Sequence, residues 1–261
     1  MSRAWSWSAK PRSQDAVHAG PRHLVVADGA TPLDPALAPR TSDFVASLVD
    51  ALSPTPGTLL TDVHHALTRA QRECGTHGVT STLSVVCWNA ATVAVAVIAD
   101  SPVIVETITG IDVITDEAFT TRESWLLEQS RRRDISDLQR RERAARNTAD
   151  GRWVVSDWTD PAEIVAHLHT VRYPRRKVTR VAVCSDGMSA AVDTFGLLTW
   201  RGLLEVAEGG GVDKLLMELE TLEAADPEAS EFPRLSVRDD RSLARARLHT
   251  DTATGHGQPF R

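Results

Sequence analysis

The chain has 261 residues, 42% of them hydrophobic and 25% charged, with a formal net charge of −6. That length and apolar content allow one large domain with a sizeable core, while the acidic balance excludes a general nucleic-acid-binding protein. Cys74, Cys87 and Cys184 form no CxxC pair and are odd in number, which excludes a cysteine-based zinc site and a disulfide framework.

Met1 to Lys10 has no apolar core of signal-peptide length, and no apolar run reaches the roughly 18 residues that span a bilayer. A soluble, cytoplasmic protein with no membrane partner is expected. Trp5 and Trp7 alternate with Ser and suit an edge strand with one aromatic face. Gln14 to Ala19 is short and mixed. After Pro21, Leu24-Val25-Val26-Ala27 runs straight into Asp28-Gly29. Continuous apolar character of this length suits a strand covered on both faces, and the glycine marks the turn that ends it. The two segments are expected to pair, with Asp15 opening the strand beside Asp28.

Prolines 32, 35 and 39 make a loop. Thr41-Ser42-Asp43 offers N-cap chemistry to a helix carrying Phe44, Val45, Leu48, Val49 and Leu52. Leu59 to Cys74 reads as a second helix, with Leu60, Val63, Leu67 and Ala70 on one stripe. The period then changes. Ser81–Trp88 with Thr92–Ala99, and Val103–Thr107 with Ile111–Thr115, predict two hairpins. Ser124 to Arg146 is rich in Arg interrupted by acids, which suits a solvated helix face. Trp153-Val154-Val155 reads as a short strand, and Asp160-Pro161 opens a helix through Ile164, Val165 and Leu168. His167 and His169 then fall on opposite sides of a helix turn and form no metal site. Val178–Cys184 is a strand that enters Ser185-Asp186-Gly187. Helices over Leu197–Val206 and Val212–Leu222 precede Asp239-Asp240 and a last strand, Leu243–Leu248. One domain over 1–248 is expected, with the polar 249–261 lacking fixed structure. Hairpins imply antiparallel pairing, and this order fits an α+β fold of stacked antiparallel sheets covered outside by helix pairs.

Four acids recur at predicted strand ends: Asp28, Asp100, Asp186 and Asp239. Asp15 joins them through its pairing with the Asp28 strand. Acids favour turns for local reasons, but two apolar strands that each run into Asp-Gly argue for more. Clustered carboxylates repel one another and are costly to bury unpaired, and divalent ions remove that cost. Carboxylates and carbonyls are the hard oxygen donors Mg²⁺ and Mn²⁺ prefer.

Gln14-Asp15, Asp28-Gly29, Thr80-Ser81-Thr82, Ala99-Asp100-Ser101, Ser185-Asp186-Gly187 and Asp239-Asp240-Arg241-Ser242, in that order, resemble the motifs of the metal-dependent type 2C (PPM-type) Ser/Thr protein phosphatases, in a small divergent bacterial form. The resemblance covers about residues 10–248. It implies a four-layer αββα sandwich, with two antiparallel sheets flanked by helix pairs, and hydrolysis of phosphoserine or phosphothreonine in proteins. It implies two Mn²⁺ or Mg²⁺ ions and a weaker third. Asp28 would bridge the two ions, the Gly29 carbonyl would bind the second, and Asp186 and Asp239 the first. Asp100 would serve the third, and Asp15 would orient a bridging water that attacks phosphorus in line. The family's phosphate-binding Arg is Lys10 here, with Arg12 as its substitute. Lys keeps the charge and loses the bidentate fork. Ala30-Thr31-Pro32 stands where the family has Gly-Gly-His. These departures favour an alternative reading, a catalytically weak sensor or binding module that recognises a phosphoprotein. A small-molecule phosphatase is a third. Substrate, cognate kinase and oligomeric state are not legible.

Overall fold

The structure, a computed structural model, describes residues 1–8, 12–30, 32, 34–118, 121, 140–141, 143–149, 152–234 and 236–248. Lys10, most of the Arg-rich stretch and the tail 249–261 lie outside the described residues.

Two five-stranded antiparallel sheets stack face to face. The first contains β1 (Ser2–Trp7), β7 (Val103–Thr107), β8 (Ile111–Ile114), β11 (Val178–Cys184) and β12 (Arg241–Arg247), in the order β1-β12-β11-β7-β8. The second contains β2 (Asp15–Ala19), β3 (His23–Asp28), β5 (Leu83–Trp88), β6 (Thr92–Ile98) and β10 (His169–Pro174), in the order β10-β6-β5-β3-β2. The short strands β4 (Thr80–Ser81) and β9 (Val155–Ser156) pair separately.

The strand period of two sorts the apolar residues into layers. Leu24 and Val26 of β3 face Val181, Val183, Ala244 and Ala246 in the core between the sheets. Val25 and Ala27, one residue out of phase, pack against α1 (Ala38–Ala51) and α2 (Leu59–Cys74) through Phe44, Leu48, Val63 and Leu67. On the other outer face, Ile104, Ala182 and Leu243 meet α4 (Asp186–Asp193), α5 (Trp200–Gly209) and α6 (Val212–Ala225). The short α3 (Pro161–Ala166) adds Ile164 to the α1–α2 side. The arrangement is the expected four layers. The all-apolar run at Leu24–Ala27 is explained by its cover on both faces.

The expected edge strand at Trp5 and Trp7 is β1, and both indoles pack against the α4–α6 layer. Three elements differ from the sequence expectation. The first helix starts at Ala38, with Pro39 tolerated in its first turn. Thr41 and Ser42 are buried inside it, and the Ser42 hydroxyl donates to the Ser13 carbonyl at 2.7 Å instead of capping. The segment from Asp186 to Asp193, to which the sequence reading assigns no element, is helix. Residues 169–174 are strand, so His169 opens β10, while His167 ends α3 and its ring stacks on Trp153. Polar Thr170 and Arg172 masked β10 in the sequence, where only Val171 and Tyr173 alternate inward.

Candidate metal centre

The acids gather where the two sheets end together. Asp28 is the last residue of β3 and Asp15 the first of β2, and they face each other directly across that pair. Asp186 follows β11 as the first residue of α4, and Asp239 precedes β12, so both come from the opposite sheet. Strand direction explains the meeting: β3 and β11 finish, and β2 and β12 begin, at one end of the sandwich.

Glycines permit the close approach. The Gly29 N–H donates to the Gln14 carbonyl at 3.0 Å, and a Cβ at Gly29 would lie 2.5 Å from that same oxygen. A Cβ at Gly187 would lie 2.2 Å from the Asp240 carbonyl oxygen. The bridge that Gly29 makes with Ser81 uses Ala30 N–H to Thr80 and Thr82 N–H to Asp28, and leaves the Gly29 carbonyl out of the ladder.

Hydroxyls fix the backbone behind the acids. The Thr82 hydroxyl accepts from the Asp28 N–H at 3.1 Å and lies 2.6 Å from the Ser101 hydroxyl, and Ser84 donates to the Ser101 carbonyl. This chain ties Asp28 to the turn carrying Asp100, where Ala99 takes a positive φ of 69°. Asp240 acts in the same way: its carboxylate accepts from the Ser8 hydroxyl at 2.7 Å and from the Gln14 N–H at 2.8 Å, binding the start of β12 to that of β2. Its place in the cluster was not read from the sequence, although it adjoins Asp239.

The cluster shares one electrostatic field. Asp15 and Asp28 are nearly buried, at 8% and 9% exposure. Burial, then the charge of Asp239, pushes Asp15 up to about 7, with Asp186 and Asp240 adding and a hydrogen bond with Asp28 opposing. Burial, then Asp15, Asp186 and Asp239, raises Asp28 well above the ordinary carboxylate range, and a hydrogen bond with Asp186 adds to the rise. Apart from that contact with the Asp28 carboxyl, no N–H or hydroxyl of the described residues reaches either Asp15 carboxylate oxygen. These orphaned oxygens, all hard donors, fit a divalent cation in kind. Among the described residues, no group of three or more His, Cys, Asp and Glu side chains is placed to hold a metal ion.

Of the other candidates, Asp100 adjoins Ser101 at the end of the Thr82–Ser101 connection, while the charges acting on both Asp15 and Asp28 are those of Asp186 and Asp239. Arg12 is turned to Asp43 of α1 in an exposed ion pair at 2.5 Å.

Solved structures share this architecture across nearly the whole chain. The serine/threonine phosphatase PstP/Ppp of Mycobacterium tuberculosis superposes with a TM-score of 0.57 at 17% identity, covering 96% of this chain and 99% of that one. The catalytic domain of serine threonine protein phosphatase PstP in complex with 2 manganese ions gives 0.56 at 18% identity, covering 95% and 97%. The PPM Ser-Thr phosphatase MsPP from Mycobacterium smegmatis, in complex with cacodylate, gives 0.51 at 18% identity, covering 95% and 98%. No family model matches the sequence, and no curated protein matches it. The chain therefore has the fold of the PPM Ser/Thr phosphatases.

Proposed function

We propose that this protein is a divalent-metal-dependent phosphoric monoester hydrolase acting on phosphoserine and phosphothreonine in proteins. The observation that carries the reading is the junction of Asp15 and Asp28 from one sheet with Asp186 and Asp239 from the other in a single field. Asp28, the Gly29 carbonyl, Asp186 and Asp239 would hold two ions, Mn²⁺ or Mg²⁺, with Asp100 serving a third. Such ions, when bound, supply Lewis-acid activation of water and of a phosphoryl oxygen. Support for the metal also comes from the manganese in the PstP catalytic domain.

The chain's own groups then have distinct tasks. Asp15 would orient a water beside the ions; its raised carboxyl pKa of about 7 belongs to the ion-free cluster, and bound cations would draw it down. Arg12 reaches a substrate phosphate by leaving Asp43, an exposed pair worth only about 0–1 kcal/mol. Lys10 adds a second positive charge. A cysteine nucleophile is disfavoured, because burial pushes the Cys87 thiol up to about 12 and raises Cys184 as well. The engagement of Arg12 with Asp43 also favours a second reading, a phosphoprotein-binding module with weak turnover.

Hydrolysis of a chromogenic phosphate ester with Mn²⁺ tests the proposal. Turnover is expected to vanish in chelator and in both Asp28→Asn and Asp239→Asn. Activity that survives chelation or persists in Asp28→Asn would overturn it. Metal binding without turnover would select the binding module.

A further inference from the structure

The end of the sandwich remote from the Asp28 cluster presents several exposed cations. The acids occupy the end where β3 and β11 finish. At the other end, backbone hydrogen bonds stitch four turns into one face. Trp88 N–H donates to the Arg22 carbonyl at 3.0 Å, Arg175 N–H to Ala91 at 2.8 Å, and Ile108 N–H to Lys177 at 2.9 Å. The Ser2 hydroxyl joins β1 to this face through the Gly20 carbonyl at 2.8 Å.

The turns are Gly20–Arg22, Asn89–Ala91, Ile108–Gly110 and Arg175–Lys177, and none contains an acid. Arg22, Arg176 and Lys177 are exposed, as is Arg3 of β1. None of these four makes an ion pair among the described residues. Of the nearby acids, Glu106 and Glu208 are paired with Arg180, Arg201 and Arg247, whereas Asp112 and Asp62 keep their charge and are bonded by Tyr173 and by Thr55 and Thr58. Two exposed large apolar side chains, Ile108 at 66% and Met1 at 92%, stand on the same face.

We propose that this basic end docks on an anionic lipid surface and turns the Asp28 end away from it. Three features favour lipid over an acidic polypeptide. Arg22 and the Arg176–Lys177 pair sit on two separate turns and Arg3 on the adjoining end of β1, which a broad surface can meet together. Exposed apolar residues stand among them, as in protein faces that enter the headgroup region. The remote acidic end of a chain with net charge −6 is repelled by the same surface, which sets the orientation. No helix among the described residues is long and apolar enough to cross a membrane, so the contact is peripheral. The inference stands apart from the phosphatase reading.

Cosedimentation of the full chain with vesicles tests it, using phosphatidylcholine alone and with about 30% phosphatidylserine. Partition onto the anionic vesicles only is expected, weakening at least about tenfold between roughly 50 mM and 0.5 M salt. The triple variant Arg22→Glu/Arg176→Glu/Lys177→Glu should lose at least about tenfold in partition with an unchanged melting temperature. The control Arg69→Glu/Arg72→Glu, on α2, should bind as the wild type does. Ile108→Ser, which removes the apolar contact without adding a charge, should weaken binding without changing its salt dependence. Equal partition of the triple variant and wild type, or no partition onto anionic vesicles, overturns the proposal. Binding of soluble polyglutamate without partition onto vesicles would also overturn it and assign the face to an acidic polypeptide.

Discussion

The backbone carbonyl of Asp240 occupies the place where a side chain at Gly187 would have to go, 2.2 Å from an ideal Cβ, with the Arg241 Cγ at 3.3 Å. Gly187 follows Asp186 and Asp240 follows Asp239, so this contact sets how near the two acids from β11 and β12 can come. Gly187→Ala is expected to cost about 1–3 kcal/mol by overpacking and to weaken Mn²⁺ binding. Gly209, at the end of α5, has nothing within 4 Å of its ideal Cβ. Alanine there should be neutral or stabilise by up to about 1 kcal/mol. Urea denaturation and calorimetric Mn²⁺ titration of the two variants check the contrast.

In the ion-free protein, the Asp15 carboxyl is held at about 7 against an ordinary 3.8. The folded chain therefore keeps a proton that the unfolded chain releases, and stability falls as pH rises through that window. Asp15→Asn should stabilise the ion-free protein at pH 8 by on the order of 1–3 kcal/mol. The gain should shrink towards pH 4. Urea denaturation in chelator at the two pH values measures it. A gain independent of pH would refute the electrostatic account.

Glu106 of β7 shows the opposite sign. Arg180 grips it with two hydrogen bonds of 2.6 Å, and Thr179 and Arg201 add two at 2.7 Å. The Arg180 hydrogen bonds, against the cost of burial, hold its carboxyl down at about 2 from an ordinary 4.5. The resulting stability is present above 4.5 and lost as pH falls through about 2. Glu106→Gln should cost on the order of 2 kcal/mol at pH 7, and its difference from wild type should close across that acid range. Denaturation midpoints at pH 7, 4 and 3 provide the check.

Arg241 opens β12 fully buried, 2.5 Å from Glu223 of α6 and 4.4 Å from the centre of the Trp7 ring. Removing Glu223 leaves a buried positive charge without compensation. Glu223→Leu and Arg241→Met alone, each stranding one buried charge, should therefore each cost about 3–5 kcal/mol. The double variant Glu223→Leu/Arg241→Met removes both charges and should recover most of that loss. A double-mutant cycle from urea denaturation measures the coupling. Equal losses in the single and double variants would sink this account.

Much of the fold was legible because local chemistry and burial agree. Leu59–Cys74 forms the helix with those bounds, and Val63, Leu67 and Ala70 of the expected stripe are buried, with Leu59 in place of the exposed Leu60. Asn89-Ala90-Ala91 separates two Val-rich strands, which pair as a hairpin. The segment after Asp186 was not legible as helix. Gly, Ser and Ala dominate it, and the preceding Ser185 hydroxyl accepts from the Ser242 N–H instead of capping the helix. Gly187 read as a turn former, yet its reason is the backbone of a strand more than fifty residues away.

The sequence by itself determined most of the strands, which acids stand at their ends and which type of donor they offer, because alternation, turn chemistry and side-chain type are local properties. Only the tertiary structure decided that Asp15 and Asp28 meet Asp186 and Asp239, that Asp240 ties β12 to β2, and that the cations collect at the far end. Those facts follow from strand order and direction in two stacked sheets. Each such contact closes a long loop of chain, and no short window of sequence records its outcome.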